Sequence, residues 1–455
     1  MTTSPTDLPP PELSLPEPAI EAVPELAEAQ ALPPRRGMAV ALRPFRHRSF
    51  SLLWIGGLIS IVGSWMQTVA VGALVVAHTG KASWAVVVAA SGFLPIGLLS
   101  PVGGAWADRL PRRPVLIAGN LVAGCVALGI ALLVGNGQQS PALLSLLVLV
   151  QGCVSALIGP FMQAILPDLV PREEFLAGVS LGSAQWNLGR VIGPALAGGA
   201  VAAFGYPAAF LANAISFLAV VVALMFVRLS TPPVHEHESV WRSIRLGVET
   251  ARVEPACRAA ILLIGTVGLF ASPFIALVPA MAHHVSPGGA RVVAKATAVL
   301  TTAQGVGAVV GAFIVPALAV RWGRGRVLLA SLVLLEPVLV LYGISPDLIL
   351  ATAALFGVGL VYLGVLSGLQ TLVQLRAPGA FRGRVLALYL MALGVSYPIG
   401  ALLQGPIADR VGLPWTTSGA AALLVFLLIG VPGLRRSVKA ALSGDEPSRA
   451  RARVA

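Results

Sequence analysis

The chain of 455 residues is 56% hydrophobic and 11% charged, with a mean hydropathy of +0.86. A water-soluble domain of that size could not carry this balance without aggregating, so the composition excludes a soluble enzyme and indicates a polytopic membrane protein. The net charge of +12 calls for no nucleic-acid partner, because basic anchors beside anionic lipid account for it.

Taken in chain order, the first 34 residues hold nine prolines and six acids, with no basic residue before Arg35. This stretch has little to bury and lacks the basic start and apolar centre of a cleaved signal peptide, so residues 1–41 are expected to form a disordered cytoplasmic tail. Twelve apolar runs follow: 51–76, 83–107, 115–134, 142–166, 176–204, 207–227, 259–282, 297–320, 327–344, 348–375, 385–407 and 415–434. Each is near the ~20 residues a helix needs to cross a bilayer. Helices are the only open choice, since the runs are too long and too continuously apolar for barrel strands. The expected fold class is therefore an all-α membrane protein of twelve transmembrane helices.

Of the 31 lysines and arginines, 26 fall in the tails and in alternate loops on one side; Lys81, Arg291, Lys295 and Arg410 lie on the other, and Arg190 lies inside a span. The basic side predicts the cytoplasm, with both ends of the chain there. The halves repeat. Phe204-Gly205-Tyr206-Pro207 and Val411-Gly412-Leu413-Pro414 are 207 positions apart, as are Gly193 and Gly400, and Gly198 and Gly405. Arg109, Arg112 and Val115 recur 212 positions later as Arg321, Arg324 and Val327. The predicted layout is a six-helix bundle over 42–227, a cytoplasmic linker over 228–258, a second bundle over 259–435 and a tail over 436–455. Paired repeats suit a transporter with its site between them. In the linker, Trp241, Ile244, Val248 and Val253 recur among Arg242, Arg245, Glu249 and Arg252, which predicts an amphipathic interfacial helix. His235, Glu236, His237 and Glu238 read as solvated loop residues rather than as a metal site. Cys125, Cys153 and Cys257 are expected to be free thiols, and no metal or cofactor is expected.

Between the second and third runs lies the charged hinge Gly103–Arg113. Its stretch Gly104-Ala105-Trp106-Ala107-Asp108-Arg109-Leu110-Pro111-Arg112-Arg113 resembles the loop signature of the major facilitator superfamily, Gly, any, apolar, Ala, Asp, Arg, any, Gly, Arg, Arg or Lys, with Pro111 in place of the usual glycine. The resemblance covers about residues 42–435. In the fifth span, Gly189-Arg190-Val191-Ile192-Gly193-Pro194-Ala195-Leu196-Ala197-Gly198 is similar to the exporter-associated pattern Gly-x-x-x-Gly-Pro-x-x-Gly-Gly, with Ala197 in place of one glycine. Gly193 and Gly198 permit close packing and Pro194 removes a backbone donor, which suits either a joint or plain packing. Gly63 to Thr68, Pro167 to Glu173, and Asn187 with Arg190 resemble the enterobactin-exporter-like branch, the transmembrane secretion effectors.

That branch implies two pseudo-symmetric six-helix bundles and proton-driven export of siderophores or drug-like compounds by alternating access. Gln151-Gly152 stands in the fourth span, but Val148 occupies the place of the arginine found there in many drug and proton antiporters. The candidate conformational elements are Gly104, Asp108, Arg109, Arg112, Arg113, Gly189, Gly193, Pro194 and Gly198. Asp108 and Arg112 are expected to clamp the cytoplasmic ends of the second and eleventh helices while the cavity faces outward.

Ionisable groups within a span cost about 2.5–3.5 kcal/mol at a helix centre and so point to function. Arg190 is a candidate for an anionic substrate or a carboxylate, or else a tie to helix carbonyls. Glu336, the only acid deep inside a span, is the candidate proton carrier with Arg190, or else, as the resemblance places the ninth helix outside the central cavity, a neutral group bonded to a neighbour. Gln67, Gln151, Asn187, Gln304, Gln370, Gln374 and Tyr397, with Gln404, supply a polar cavity suited to a moderately hydrophobic, aromatic substrate, or else bond helix to helix. Acids and histidines gather at neither face as a membrane enzyme would need. No Gly-Lys-Ser or Gly-Lys-Thr phosphate loop offers ATP as energy source. Uptake by the same fold is the nearest alternative, followed by a non-transporting sensor. The expected setting is the cytoplasmic membrane, with lipid, a small-molecule substrate and protons as partners and a monomer as the working unit.

Overall fold

The computed structural model describes residues 41–227, 229 and 240–442. The expected tail (but for residue 41), the His235–Glu238 group and the end of the chain beyond 442 lie outside the described residues.

Six long helices form the first half: α1 (Arg48–Thr79), α2 (Ala82–Ala107), α3 (Arg112–Gly135), α4 (Pro141–Ala164), α5 (Phe175–Phe204) and α6 (Tyr206–Phe226). The short helix α7 (Val240–Val253) leads into the second half. There α8 (Pro255–Phe270) and α9 (Phe274–Val285) together make one span, followed by α10 (Ala290–Trp322), α11 (Arg324–Gly343), α12 (Leu348–Arg376), α13 (Arg382–Val411) and α14 (Leu413–Gly430). A final helix, α15 (Pro432–Leu442), carries the chain through the start of its expected tail. Eleven of these spans are long and apolar enough to cross a membrane. The twelfth, α5, is 30 residues long, its apolar run interrupted by Gln185, Asn187 and Arg190. The fold is all-α, with twelve spans.

Several helices outrun the apolar segments that mark them. The first runs from Arg48 to Thr79 rather than 51–76, and the eighth span from Ala290 to Trp322 rather than 297–320. Hydropathy sees only the part that lipid must solvate. The backbone ladder continues until something stops it, here Gly80 at φ 67° and Gly323 at φ 88°. The sequence repeat has the same cause. Gly205 and Gly412 adopt φ 84° and 90°, and Pro207 and Pro414 stand in the first turn of the next helix. Glycine accepts that backbone and proline needs no amide partner there, so each reversal takes a single residue.

The seventh span corrects the sequence reading of one helix over 259–282. It is broken at Ala271-Ser272-Pro273, leaving α8 and α9 as separate pieces.

Packing repeats between the halves. In the first, α2 lies on α4, α3 on α6, and α1 on α5; in the second, α10 lies on α12, α11 on α14, and α8 on α13. The seam between bundles is made chiefly by α2 against α13 and α5 against α10. Two apolar clusters bridge it. One joins Val71, Leu74 and Val201 to Val293, Ala294 and Ala298; the other joins Val76, Ala85 and Val86 to Leu277, Ala401 and Ala408. Both lie at the end away from the basic loops. Near the basic loops, the cluster around Leu116, Phe161 and Leu224 draws on the first half alone, and that around Leu263, Leu335 and Val365 on the second alone. The bundles are thus joined at the cation-poor end.

Small residues make that junction possible. A Cβ on Gly405 would meet the Val86 side chain, and one on Gly198 would lie 2.7 Å from the Ala298 side chain; at the middle of the seam, one on Gly97 would lie 2.9 Å from the carbonyl of Gly394. Lipid tails are as apolar as leucine, so close backbone approach replaces the hydrophobic drive of a soluble core.

Candidate functional site

At the middle of the seam, α5 backs directly onto α10: a Cβ on Gly305 would lie 3.1 Å from the carbonyl oxygen of Arg190. Arg190 is partly buried. Its Nη2 is sealed from solvent without a hydrogen-bond partner, and the guanidinium is close enough to Tyr362 on α12 to interact electrostatically. The break in the seventh span explains how Tyr362 is held. Ser272, freed from helical geometry, brings its Oγ to 2.7 Å from the Tyr362 hydroxyl, and Phe274 at the start of α9 meets the same ring edge-on at 5.6 Å. Across the seam, Phe93 on α2 meets Tyr397 on α13 edge-on, also at 5.6 Å. The Tyr397 hydroxyl and Gln304 Nε2 are buried without partners, as is Thr302 Oγ1 one turn from Arg190's neighbour Gly305. The backbone carbonyl of Gln304 packs on Gly359, one turn before Tyr362 on α12. Discontinuous spans at the boundary of two repeats are the usual setting of a transporter's midplane site.

The remaining predicted cavity residues divide. Gln67 and Gln151 do not stand free: Gln67 Nε2 donates to Gln151 Oε1 at 2.6 Å, and Asn213 Nδ2 donates to Gln67 Oε1 at 2.8 Å. Ser216 donates to Asn213 Oδ1 at 3.0 Å, completing a buried chain that ties α1, α4 and α6. Asn187 donates to the Ser183 carbonyl one turn back, at 2.9 Å. Gln370 is half-buried and Gln374 exposed on α12. Gln404 on α13 donates to the carbonyls of Leu269 and Phe270 at 3.3 and 3.0 Å, satisfying groups at the C-terminal end of α8 beside the break.

Glu336 lies apart from the seam, in α11 within the second bundle. It is 6% exposed and both carboxylate oxygens lack partners. Pro337 follows it inside the helix.

At the basic end, Asp108 is the C-cap of α2 and, like Arg109, is exposed. Asp108 forms no ion pair among the described residues. Arg112 works within the first bundle: it donates to the carbonyls of Ala107 and Ala164 at 3.4 and 2.9 Å and to Asp168 at 3.3 Å, joining the ends of α2 and α4. Arg113 donates to the Met225 carbonyl at the end of α6, at 2.7 Å. Among the described residues neither Asp108 nor Arg112 pairs with the eleventh span, so the structure does not contain the expected clamp. Of the hinge glycines, Gly104 has open space beside it, whereas a Cβ on Gly103 would lie 2.6 Å from the Leu157 carbonyl. In α5, Gly189 packs against Ile61 and Gly193 against Val62 and Trp65, both on α1, while Gly198 meets α10 across the seam. Pro194 is buried within a continuous helix.

Phe93, Ser272, Phe274 and Tyr362 at the candidate site, and Asn213 in the buried amide chain, are positions that the sequence reading does not single out. Aromatic residues give no contrast within apolar runs. Asn213 does carry a signal, as a lone amide in the sixth span with the same claim to notice as the glutamines.

The model of a family described as transmembrane secretion effector matches residues 39–451. The multidrug efflux pump Tap of Mycobacterium tuberculosis is 26% identical over 398 residues, covering 84% of this chain and 93% of that protein. The enterobactin exporter EntS of Escherichia coli is 28% identical over 393 residues, covering 85% and 91%. Among solved structures, a bacterial homologue of the human lysosomal transporter Spinster, inward-facing and unoccupied, superposes with a TM-score of 0.64 at 14% identity, covering 88% of this chain and 99% of that one. A bacterial homologue of the iron transporter ferroportin, inward-facing, gives 0.62 at 18% identity, covering 87% and 98%. These likenesses bear on the fold, and the match over 39–451 bears on descent: the chain belongs to the transmembrane secretion effector family of the major facilitator superfamily, and is a multi-pass membrane transporter.

Proposed function

We propose that this transporter exports an oxygen-rich, aromatic small molecule, siderophore-like or drug-like, across the cytoplasmic membrane by proton-driven alternating access. The observation that carries the reading is the set of unpartnered donors at the seam: Arg190 Nη2, Gln304 Nε2 and the Tyr397 hydroxyl. Buried donors without acceptors cost free energy until a ligand supplies oxygen atoms, and the half-buried ring of Phe93, edge-on to Tyr397, puts an aromatic group beside them. The efflux relatives support outward direction. The distribution of cations supports a cytoplasmic basic face with both chain ends on it. On that orientation the two clusters that join the bundles lie at the outer face, which leaves the cytoplasmic face as the proposed loading side of an exporter.

Glu336 is the proposed proton carrier, since both its carboxylate oxygens lie buried and without a partner inside a span, where acids are rare. Asp108 and Arg112 are proposed to clamp α2 to α13 in the outward-facing state, and the monomer is the proposed working unit. Everted vesicles containing the protein test the whole reading. A catecholate siderophore or an anionic aromatic dye is expected to accumulate when the lumen is acid and to stop accumulating when the gradient is collapsed. Accumulation indifferent to the gradient would overturn proton coupling, and none in either condition would overturn export.

A further inference from the structure

Asp409 lies in the last turn of α13, exposed at the cation-poor end. Its carboxylate crosses the seam. Oδ1 accepts the backbone amide of Ala82 at 2.6 Å, and the two oxygens accept that of Ser83 at 3.4 and 3.2 Å. These amides open α2, whose N-cap residue Lys81 supplies no side-chain acceptor of its own. Helix starts gather free amides and the positive end of the backbone dipoles, so a carboxylate binds there with charge assistance.

The other half makes the corresponding connection. Tyr206, at the start of α6, donates its hydroxyl to the carbonyl of Ala290, the first residue of α10, at 2.7 Å. The helices held, α2 and α10, have corresponding places in the two bundles. Asp409 reaches from the second half to the first, and Tyr206 from the first to the second. Apolar packing lies behind both: Ala82, Ala85, Val86, Leu277, Ala401 and Ala408 share one bridging cluster, with Gly405 against Val86 one turn from Asp409, and Tyr206 belongs to the other with Val71, Leu74 and Val201. That packing is non-directional, whereas the two bonds fix the start of a helix in one bundle to a residue of the other.

We infer that Asp409 is a gating residue: its carboxylate on the start of α2, seconded by Tyr206 on α10, holds the cation-poor end shut, and release of this pair is the step that lets the bundles part at that face. The inference rests on the alternating-access reading proposed above. It predicts that weakening either bond enriches the state open at the cation-poor face, without substrate and without a proton gradient.

The test uses the full chain in lipid nanodiscs, with Cys125, Cys153 and Cys257 replaced by alanine. One spin-label pair at Gln138 and Pro346 reports the cation-poor end, and a second pair at Glu173 and Gly383 reports the basic end. Asp409→Ala is expected to raise the population with a long cation-poor separation by about threefold or more, while the basic-end separation shortens. Asp409→Glu, which keeps the carboxylate, is expected to stay near wild type, and Tyr206→Phe to shift the populations in the same direction by less. A Gly198→Trp wedge against Ala298 serves as the control that forces the seam apart. If the wedge moves both pairs in opposite directions while Asp409→Ala and the Asp409→Ala, Tyr206→Phe double variant leave them unchanged, the gate is overturned and alternating access survives. If the wedge lengthens both pairs together, alternating access itself fails. Should Asp409→Ala not fold, Asp409→Leu, which keeps the bulk and removes both acceptor oxygens, takes its place: a longer cation-poor separation supports the gate, and an unchanged one overturns it.

Discussion

Replacing Gln67 by leucine separates a structural role from a substrate-binding one. The Gln67 amide is 5% exposed and makes two interhelical bonds, to Gln151 at 2.6 Å and from Asn213 at 2.8 Å. Interhelical side-chain bonds in membranes average about 0.6 kcal/mol, so losing both sets a floor near ~1.2 kcal/mol. Removal also strands the Asn213 amide, whose residue is fully buried, and an unsatisfied buried group costs about 1–3 kcal/mol. The expected loss for Gln67→Leu is therefore about 2–4 kcal/mol, read from reversible unfolding of the detergent-solubilised protein by a denaturing surfactant. The double variant Gln67→Leu, Asn213→Leu removes both partners and should cost less than the sum of the single changes, with a coupling above about 0.5 kcal/mol. Efflux per folded molecule should fall only modestly. Additive effects on stability, together with a raised KM for the exported compound, would refute the structural assignment and return Gln67 to the substrate.

Four further outcomes follow from the geometry. Arg190→Gln should weaken binding of an anionic dye by about 10–100-fold, the worth of one charge-assisted bond, with Arg190→Lys intermediate and a neutral dye little affected; equal losses for both dyes, in an equilibrium binding titration, would contradict it. Gly103→Ala should destabilise by about 1–3 kcal/mol because the new methyl meets the Leu157 carbonyl, whereas Gly104→Ala should stay within about 0.5 kcal/mol; thermal unfolding of the two variants decides. Gln404→Leu should cost about 1–3 kcal/mol by leaving the carbonyls at the end of α8 without their donor, and an unchanged midpoint of unfolding would count against that role. Glu336→Gln should abolish the dependence of efflux on the pH gradient while leaving downhill exchange; an unaltered gradient dependence would remove Glu336 from coupling.

The span count and the doubling of the chain are legible because they have strong local causes. Twelve apolar runs are what lipid demands of twelve helices, and the Gly-x-Pro reversals at Gly205 and Gly412 repeat because their positive φ admits little else. Arg190 stands out as a charge where charge is costly. The surroundings of Arg190 do not: Tyr362, Phe93 and Phe274 gain meaning only from partners far away in the chain, and hydropathy treats them as more of the same. The break before α9 leaves a readable trace in Ser272-Pro273, but the apolarity of 259–282 conceals it. Gln67 and Gln151 are visible as polar residues, yet a single span gives no indication that they bond to each other rather than face a ligand.

One helix links the separate parts of this protein. Tyr397, Gln404 and Asp409 all belong to α13, with Tyr397 and Asp409 twelve positions, about 18 Å of helical rise, apart. Pro398 and Pro406 interrupt the ladder between them, so the final turn and a half is the least costly portion to swing. The tip bearing Asp409 can therefore leave α2 while the middle of the rod, with Tyr397, stays in place.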